Sequence, residues 1–174
     1  MQITMDRWGW TRAETLDFVA RMPERERRET LGATGLSGAA LADSLRRDVT
    51  DTAGRGGVAF GARMDGLPCA AFGAAPDSPM ADSAVIWMLS TRECERFPVA
   101  FGRWSLRGFA AVRAAMPGVE VYWNWVQESG GSAATLAWLS WLGAWFSTGE
   151  KFKSPWTGET FVRFGIDSGG CGHV

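Results

Sequence analysis

The sequence predicts a single α+β domain, three layers deep, in which a mixed and mostly antiparallel sheet is flanked by helices. Three observations carry this reading. The run Ala84–Thr91 is apolar, partly β-branched and ends in hydroxyls, as a strand buried on both faces would be. From Pro98 to Pro117, Phe101, Trp104, Ser105, Phe109 and Val112 recur at three- and four-residue spacing, which marks a core-facing helix of roughly five turns. Met64-Asp65-Gly66 lies between two apolar runs, and Asp-Gly in that setting is a hairpin signal.

The elements follow in order. Gln2–Met5 reads as a first strand. Thr11-Arg12-Ala13-Glu14 is a capping box, whose hydroxyl and carboxylate each satisfy an otherwise free N–H, and the helix it opens turns Leu16, Val19 and Ala20 inward. Pro23 ends that helix and begins the charged segment Glu24–Glu29, read as a solvated helical face. Ser37 caps a second helix through Leu41, Leu45 and Val49. Strands near 57–64 and 67–74 flank the Asp65-Gly66 turn, and Ala75–Asp82 leads to the strand at 84–90. After the Pro98 helix, Val119–Val126 alternates as a strand. Ser132–Leu142 is a helix closed by Gly143, and Trp145–Phe152 and Thr160–Ile166 form an antiparallel pair joined through Pro155-Trp156-Thr157-Gly158. The order is β-α-α-β-β-β-α-β-α-β-β, with the domain over 1–167 and a flexible glycine-rich tail over 168–174.

Composition limits the function classes. A chain of 174 residues suits one domain that buries about 70% of its unfolded surface. With 18 basic and 19 acidic side chains, no overall field draws in nucleic acid or an anionic membrane, and Arg25-Glu26-Arg27-Arg28 is the one basic cluster that stands out. No apolar run reaches the ~20 residues of a membrane span, and the N-terminus lacks a leader pattern, which points to the cytoplasm. Cys69, Cys94 and Cys171 form no CxxC pair and read as reduced thiols. The single histidine, His173, lies in the tail, so no metal site is expected. Ten tryptophans against one tyrosine read chiefly as core and rim packing. Gly54-Arg55-Gly56-Gly57 lacks the lysine and hydroxyl of a phosphate-binding loop.

This order of elements, with a helix ending Trp141-Leu142-Gly143 before a strand, resembles the GNAT N-acetyltransferase superfamily. Several stretches resemble more closely a phage-encoded branch of it, related to the internal virion protein of short-tailed phages. They are Arg27-Arg28-Glu29 with Gly35, Asp65–Gly73, Trp87–Thr91, Trp138–Gly143 and Phe161–Phe164. The resemblance implies that the fourth strand splays from the fifth so that acetyl-CoA or CoA lies between them. It further implies that a loop and helix N-terminus hold the pyrophosphate through unpaired N–H groups. Carried over, it assigns Leu89 and Thr91 to the splayed strand, Arg96 and Arg103 to the phosphates, and Ser132 and Trp138 to the pantetheine arm.

Two departures from the family pattern stand out. The family's Arg/Gln-x-x-Gly-x-Gly/Ala loop corresponds to Ser90–Phe97, which has no glycine and carries Glu93 and Glu95. The tyrosine that often lies four residues before the Leu-Gly glycine is Leu139 here, so no catalytic acid is assigned; Glu150, Glu128 and Asp82 are the nearby candidates for a base. The expectation is an acetyltransferase-like protein of phage or prophage origin that binds acyl-CoA and acylates an amine in the host cytoplasm. The alternative is a non-catalytic virion or morphogenesis protein that keeps the fold and binds a phage structural partner.

Overall fold

A computed structural model describes residues 2–128 and 133–169. Its elements run β1 (Ile3–Arg7), α1 (Arg12–Arg21), α2 (Glu24–Thr34), α3 (Gly38–Gly54), β2 (Val58–Met64), β3 (Leu67–Pro76), β4 (Ser83–Ser90), α4 (Arg92–Glu95), α5 (Pro98–Ala115), β5 (Val121–Gln127), α6 (Ala133–Trp141), β6 (Trp145–Lys153) and β7 (Thr160–Asp167). Among the described residues one sheet of order β1-β2-β3-β4-β5-β7-β6 holds the seven strands, and β4–β5 is its one parallel neighbour pair.

Side-chain alternation along β2–β4 sorts the core into two layers. Ala59, Ala71, Trp87 and Leu89 face α1 and α3, where they meet Phe18, Val19, Leu41, Leu45 and Val49. Phe60, Phe72, Ile86 and Met88 face the other way, onto Trp104, Phe109 and Val112 of α5 and Leu139 of α6. The sheet is thus the middle layer of three. The β2–β3 hairpin turns at Asp65 and Gly66 with φ of 49° and 88°, the backbone that Asp-Gly adopts most readily in a two-residue turn.

Several elements differ in detail from expectation. The Thr11–Glu14 capping box forms as expected, but α1 buries Thr15, Phe18 and Val19 while Ala20 faces solvent. A ten-residue helix has one narrow core stripe, and the bulkier Phe18 takes it. Ser37 begins α3 without a side-chain cap bond. The largest difference is Glu24–Glu29, which belongs to a full helix, α2, docked across the sheet rather than lying free in solvent. Gly35 closes α2 at φ 73°, and a Cβ there would meet the Trp156 ring at 2.6 Å, so the β6–β7 connection packs directly on the end of α2. β7 ends at Asp167, and 170–174, which hold Cys171 and His173, lie outside the described residues. No helix among the described residues is long and apolar enough to cross a membrane.

Candidate functional site

The parallel pair β4–β5 is joined only over Ser83–Val85 and Val121–Trp123; beyond it the two strands part. Past that point each strand has main-chain groups with no ladder partner, and such groups are costly unless something else bonds them. Side chains do so at both strands. Asn124 Nδ2 donates to Ile86 O at 2.5 Å, and its Oδ1 accepts from Trp125 N at 2.7 Å. Farther along, Ser90 N donates to Glu26 Oε1 at 2.8 Å and Ser90 Oγ to Glu26 Oε2 at 3.0 Å, while Gln127 N donates to Glu29 Oε1 at 3.3 Å. One turn of α2 therefore places a carboxylate on each parted strand.

The parting opens a cavity of ≈ 700 Å³ that reaches both faces of the sheet. On the α2–α3 side its wall includes Glu26, Glu29 and Asp48; on the α5–α6 side it includes Phe101, Trp104 and Trp138. Glu26 keeps some accessible surface because it lines this space, yet protein surrounds it closely enough that desolvation pushes its pKa up to about 8. That shift prevails over the opposing hydrogen bonds from Ser90. Glu29 is raised for the same reason. A carboxyl that titrates near neutrality in a cavity wall is suited to take up a proton there.

The expected site residues divide between the cavity and its surroundings. Leu89 and Trp138 line it, and Trp138 Nε1 donates to Ser105 Oγ at 3.0 Å. Thr91 is fully buried outside the cavity lining, its N–H donating to Cys69 O at 2.9 Å. Arg96 and Arg103 are exposed, away from the lining, and make no ion pair among the described residues. Ser132 lies outside the described residues.

The candidate bases suggested by sequence sit elsewhere: Glu150 pairs with Arg163, Glu128 with Lys151, and Asp82 is exposed. Glu26, Glu29 and Asn124 were missed. A signal for the first two existed in their three-residue spacing, which puts both on one helical face, but surrounding Arg25, Arg27 and Arg28 made the segment read as solvated.

The loop that would cradle a pyrophosphate is bonded in part within the protein. Its N–H groups at Thr91, Cys94, Arg96 and Phe97 bond to Cys69 O, Thr91 O, Glu93 O and Cys94 O, and Pro98 has no N–H at the start of α5. Glu93 pairs with Arg21 at 3.2 Å and Glu95 with Arg25 at 3.4 Å, fastening the loop to α1 and α2. Beneath it Cys94 Sγ donates to Cys69 O at 3.3 Å; both thiols are free and buried.

The fold as a whole is shared with known structures. An acetyltransferase of the GNAT family from Streptococcus pneumoniae superposes with a TM-score of 0.67 at 8% identity, covering 95% of this chain and 99% of that one. This chain has the GNAT fold. A Bacillus subtilis acetyltransferase solved in complex with CoA matches with a TM-score of 0.59 at 12% identity, over 95% and 99% of the two chains. The ribosomal-protein-alanine N-acetyltransferase of Brucella melitensis matches with a TM-score of 0.62 at 14% identity, over 94% and 99%. At these identities the likeness establishes the GNAT fold alone. No family model matches the sequence, and no curated protein matches it significantly.

Proposed function

We propose that the protein is an acetyltransferase-like enzyme that takes an acyl thioester into the opening between β4 and β5 and transfers the acyl group to an amine. The observation that carries this reading is the cavity itself, which reaches both faces of the sheet and has Glu26 in its wall. Ile86 O and Ser90 N are already bonded by side chains, so alternation along β4 leaves Met88, between them, to offer its N–H and C=O to a bound arm. The apolar wall of Phe101, Trp104 and Trp138 suits the arm. Asp48, with Glu26 and Glu29 as acceptors beside it, makes the opposite mouth suit an amine.

An acyl thioester supplies an activated carbonyl and a thiol leaving group. In the transfer, the ammonium first loses a proton to water, the neutral nitrogen bonds to that carbonyl carbon, the C–S bond breaks, and the thiolate takes up a proton from water. Glu26, in its ionised form, receives the proton that the nitrogen then loses, and a carboxyl titrating near 8 supplies that form increasingly as pH rises above neutrality. Acetyl-CoA or CoA fits in part. The opening suits the thioester arm, whereas the loop at 91–97 has no glycine, bonds four of its N–H groups internally and carries Glu93 and Glu95. No step is therefore assigned to the nucleotide.

The test is thiol release from acetyl-pantetheine in the presence of a panel of primary amines and diamines. Glu26→Gln keeps the hydrogen-bonding shape and removes the base, and should lower turnover by 10²–10⁴-fold. Equal turnover by the variant would remove Glu26 from the chemistry. The loop at 91–97 also favours a second reading, in which a phage or prophage chain keeps this fold as a virion or morphogenesis component in the host cytoplasm. Under that reading the protein co-purifies with phage particles or assembly intermediates and releases no thiol with any amine.

A further inference from the structure

The loop that does not suit a pyrophosphate leads into a surface of a different kind. Residues 92–115 contain five arginines (Arg92, Arg96, Arg103, Arg107 and Arg113) and only two acids, Glu93 and Glu95, both already paired with arginines of α1 and α2. α5 has no acidic residue in its 18 positions, although a helix N-terminus favours them. Val99, Arg103 and Arg107 recur at four-residue spacing along its exposed side. Arg92 and Arg96 are exposed on the adjoining turn, and none of these four arginines makes an ion pair among the described residues.

Apolar side chains stand among these charges. Phe97 is 45% exposed, Val99 69% and Trp141 50%; the Trp141 ring lies 3.7 Å from where a Cβ on Gly102 would sit, so it borders the first turns of α5. The surface also adjoins the cavity, since Glu95, Pro98, Phe101 and Trp138 line that space. An apolar centre with a cationic rim at the mouth of a narrow cavity fits a protein that docks by charge and inserts a thin arm. In a chain of net charge −1, such a surface is a local feature.

We propose that the acyl donor is a 4′-phosphopantetheine thioester carried on an acidic helical carrier protein, which docks on the Arg92–Arg107 face and passes its arm between β4 and β5. This rests on the thioester reading of the cavity given above. It accounts for a loop with no glycine and two carboxylates beside an opening that suits the arm. The carrier replaces the nucleotide as the handle, and its acidic side chains meet arginines instead of a phosphate meeting backbone N–H groups.

The test compares three acetyl donors by titration into the full chain: acetyl-pantetheine, acetyl-CoA and a bacterial acyl carrier protein bearing acetyl-phosphopantetheine. The carrier is expected to bind at least 10-fold tighter than acetyl-pantetheine, and acetyl-CoA within about 3-fold of it. Raising salt from 50 to 500 mM should erase the carrier's advantage. The exposed triple variant Arg96→Ala, Arg103→Ala, Arg107→Ala, and separately Val99→Asp, should reduce the carrier to the affinity of the bare arm while leaving the arm's own affinity within twofold.

A 10-fold preference for acetyl-CoA over acetyl-pantetheine overturns the proposal, and so does a carrier that binds no better than the arm. Binding of a nucleic-acid duplex or an anionic vesicle to the same arginines, tighter than the carrier, also overturns it in favour of that ligand. Failure of acetyl-pantetheine itself to bind defeats the cavity reading on which the proposal stands, and is thereby distinguished from failure of docking alone.

Discussion

Glutamine at position 26 isolates the electrostatic cost of the buried carboxyl, because Glu26→Gln keeps one oxygen acceptor for Ser90 N, turns an amide N–H to Ser90 Oγ and cannot ionise. In the folded protein desolvation holds the Glu26 pKa at about 8, against 4.5 for the free side chain. Between those two values the folded state keeps a proton that the unfolded state has lost. Stability therefore falls as pH rises through that window, and below about 4.5 the group contributes nothing. The interval, at about 1.36 kcal/mol per pH unit, sets a ceiling of roughly 5 kcal/mol. Glu26 borders an open cavity and keeps some accessible surface, which lessens the desolvation, so about half of that, ~2–3 kcal/mol, is the expected loss between pH 5 and pH 9.

For a chain of this length such a loss corresponds to a fall in Tm of roughly 4–12 °C. Neighbouring Glu29 raises the Glu26 pKa and Arg25 lowers it, and both remain in the variant. The assay is thermal unfolding of both proteins at half-unit steps from pH 5 to pH 9. The wild type should lose stability relative to Glu26→Gln as pH rises, with the curves converging near pH 5. Parallel curves across the range would refute the claim that Glu26 is desolvated in the cavity wall.

Two further substitutions probe the frame that holds the site. Gly35→Ala forces a side chain into left-handed backbone, at ~1–2 kcal/mol, and into the Trp156 ring at 2.6 Å. Gly38→Ala meets only the backbone cost, since no atom lies within 4 Å, so urea unfolding should show Gly35→Ala the less stable by ~1 kcal/mol or more. Equal losses would mean that Trp156 does not pack on α2. Asn124→Ala strips Ile86 O and Trp125 N of their partner and should lower the urea midpoint by an amount equivalent to ~1–2 kcal/mol. An unchanged midpoint would show that water replaces the amide at no cost.

The fold was legible because its signals are local. Asp65-Gly66, the Thr11–Glu14 box, Pro98 and the helix ending at Gly143 each specify an element boundary through backbone chemistry that a neighbour cannot override. The site was less legible because it is made by non-local pairing. Glu26 bonds Ser90 across 64 residues and Glu29 bonds Gln127 across 98, and nothing near Glu24–Glu29 in sequence announces either contact. Arg27 and Arg28 are partnered by Glu24 and Glu159, and these pairs occupy the charges that made α2 read as solvated. Of the arginine face only Arg96 and Arg103 were picked out, as phosphate contacts, for a related reason. Its charges are spread over 92–107 at helical spacing, whereas Arg25, Arg27 and Arg28 fall within four positions.

The central claim is that the parted strands receive a thioester arm, and isothermal titration with acetyl-pantetheine tests it most directly. The wild type should bind with a Kd of about 10–100 µM, on the order of −5.5 to −7 kcal/mol. Ala134→Trp, which places an indole at an exposed position on α6 that lines the cavity, should abolish the heat without unfolding the chain. No heat at millimolar ligand, or equal binding by the Ala134→Trp variant, would contradict the account.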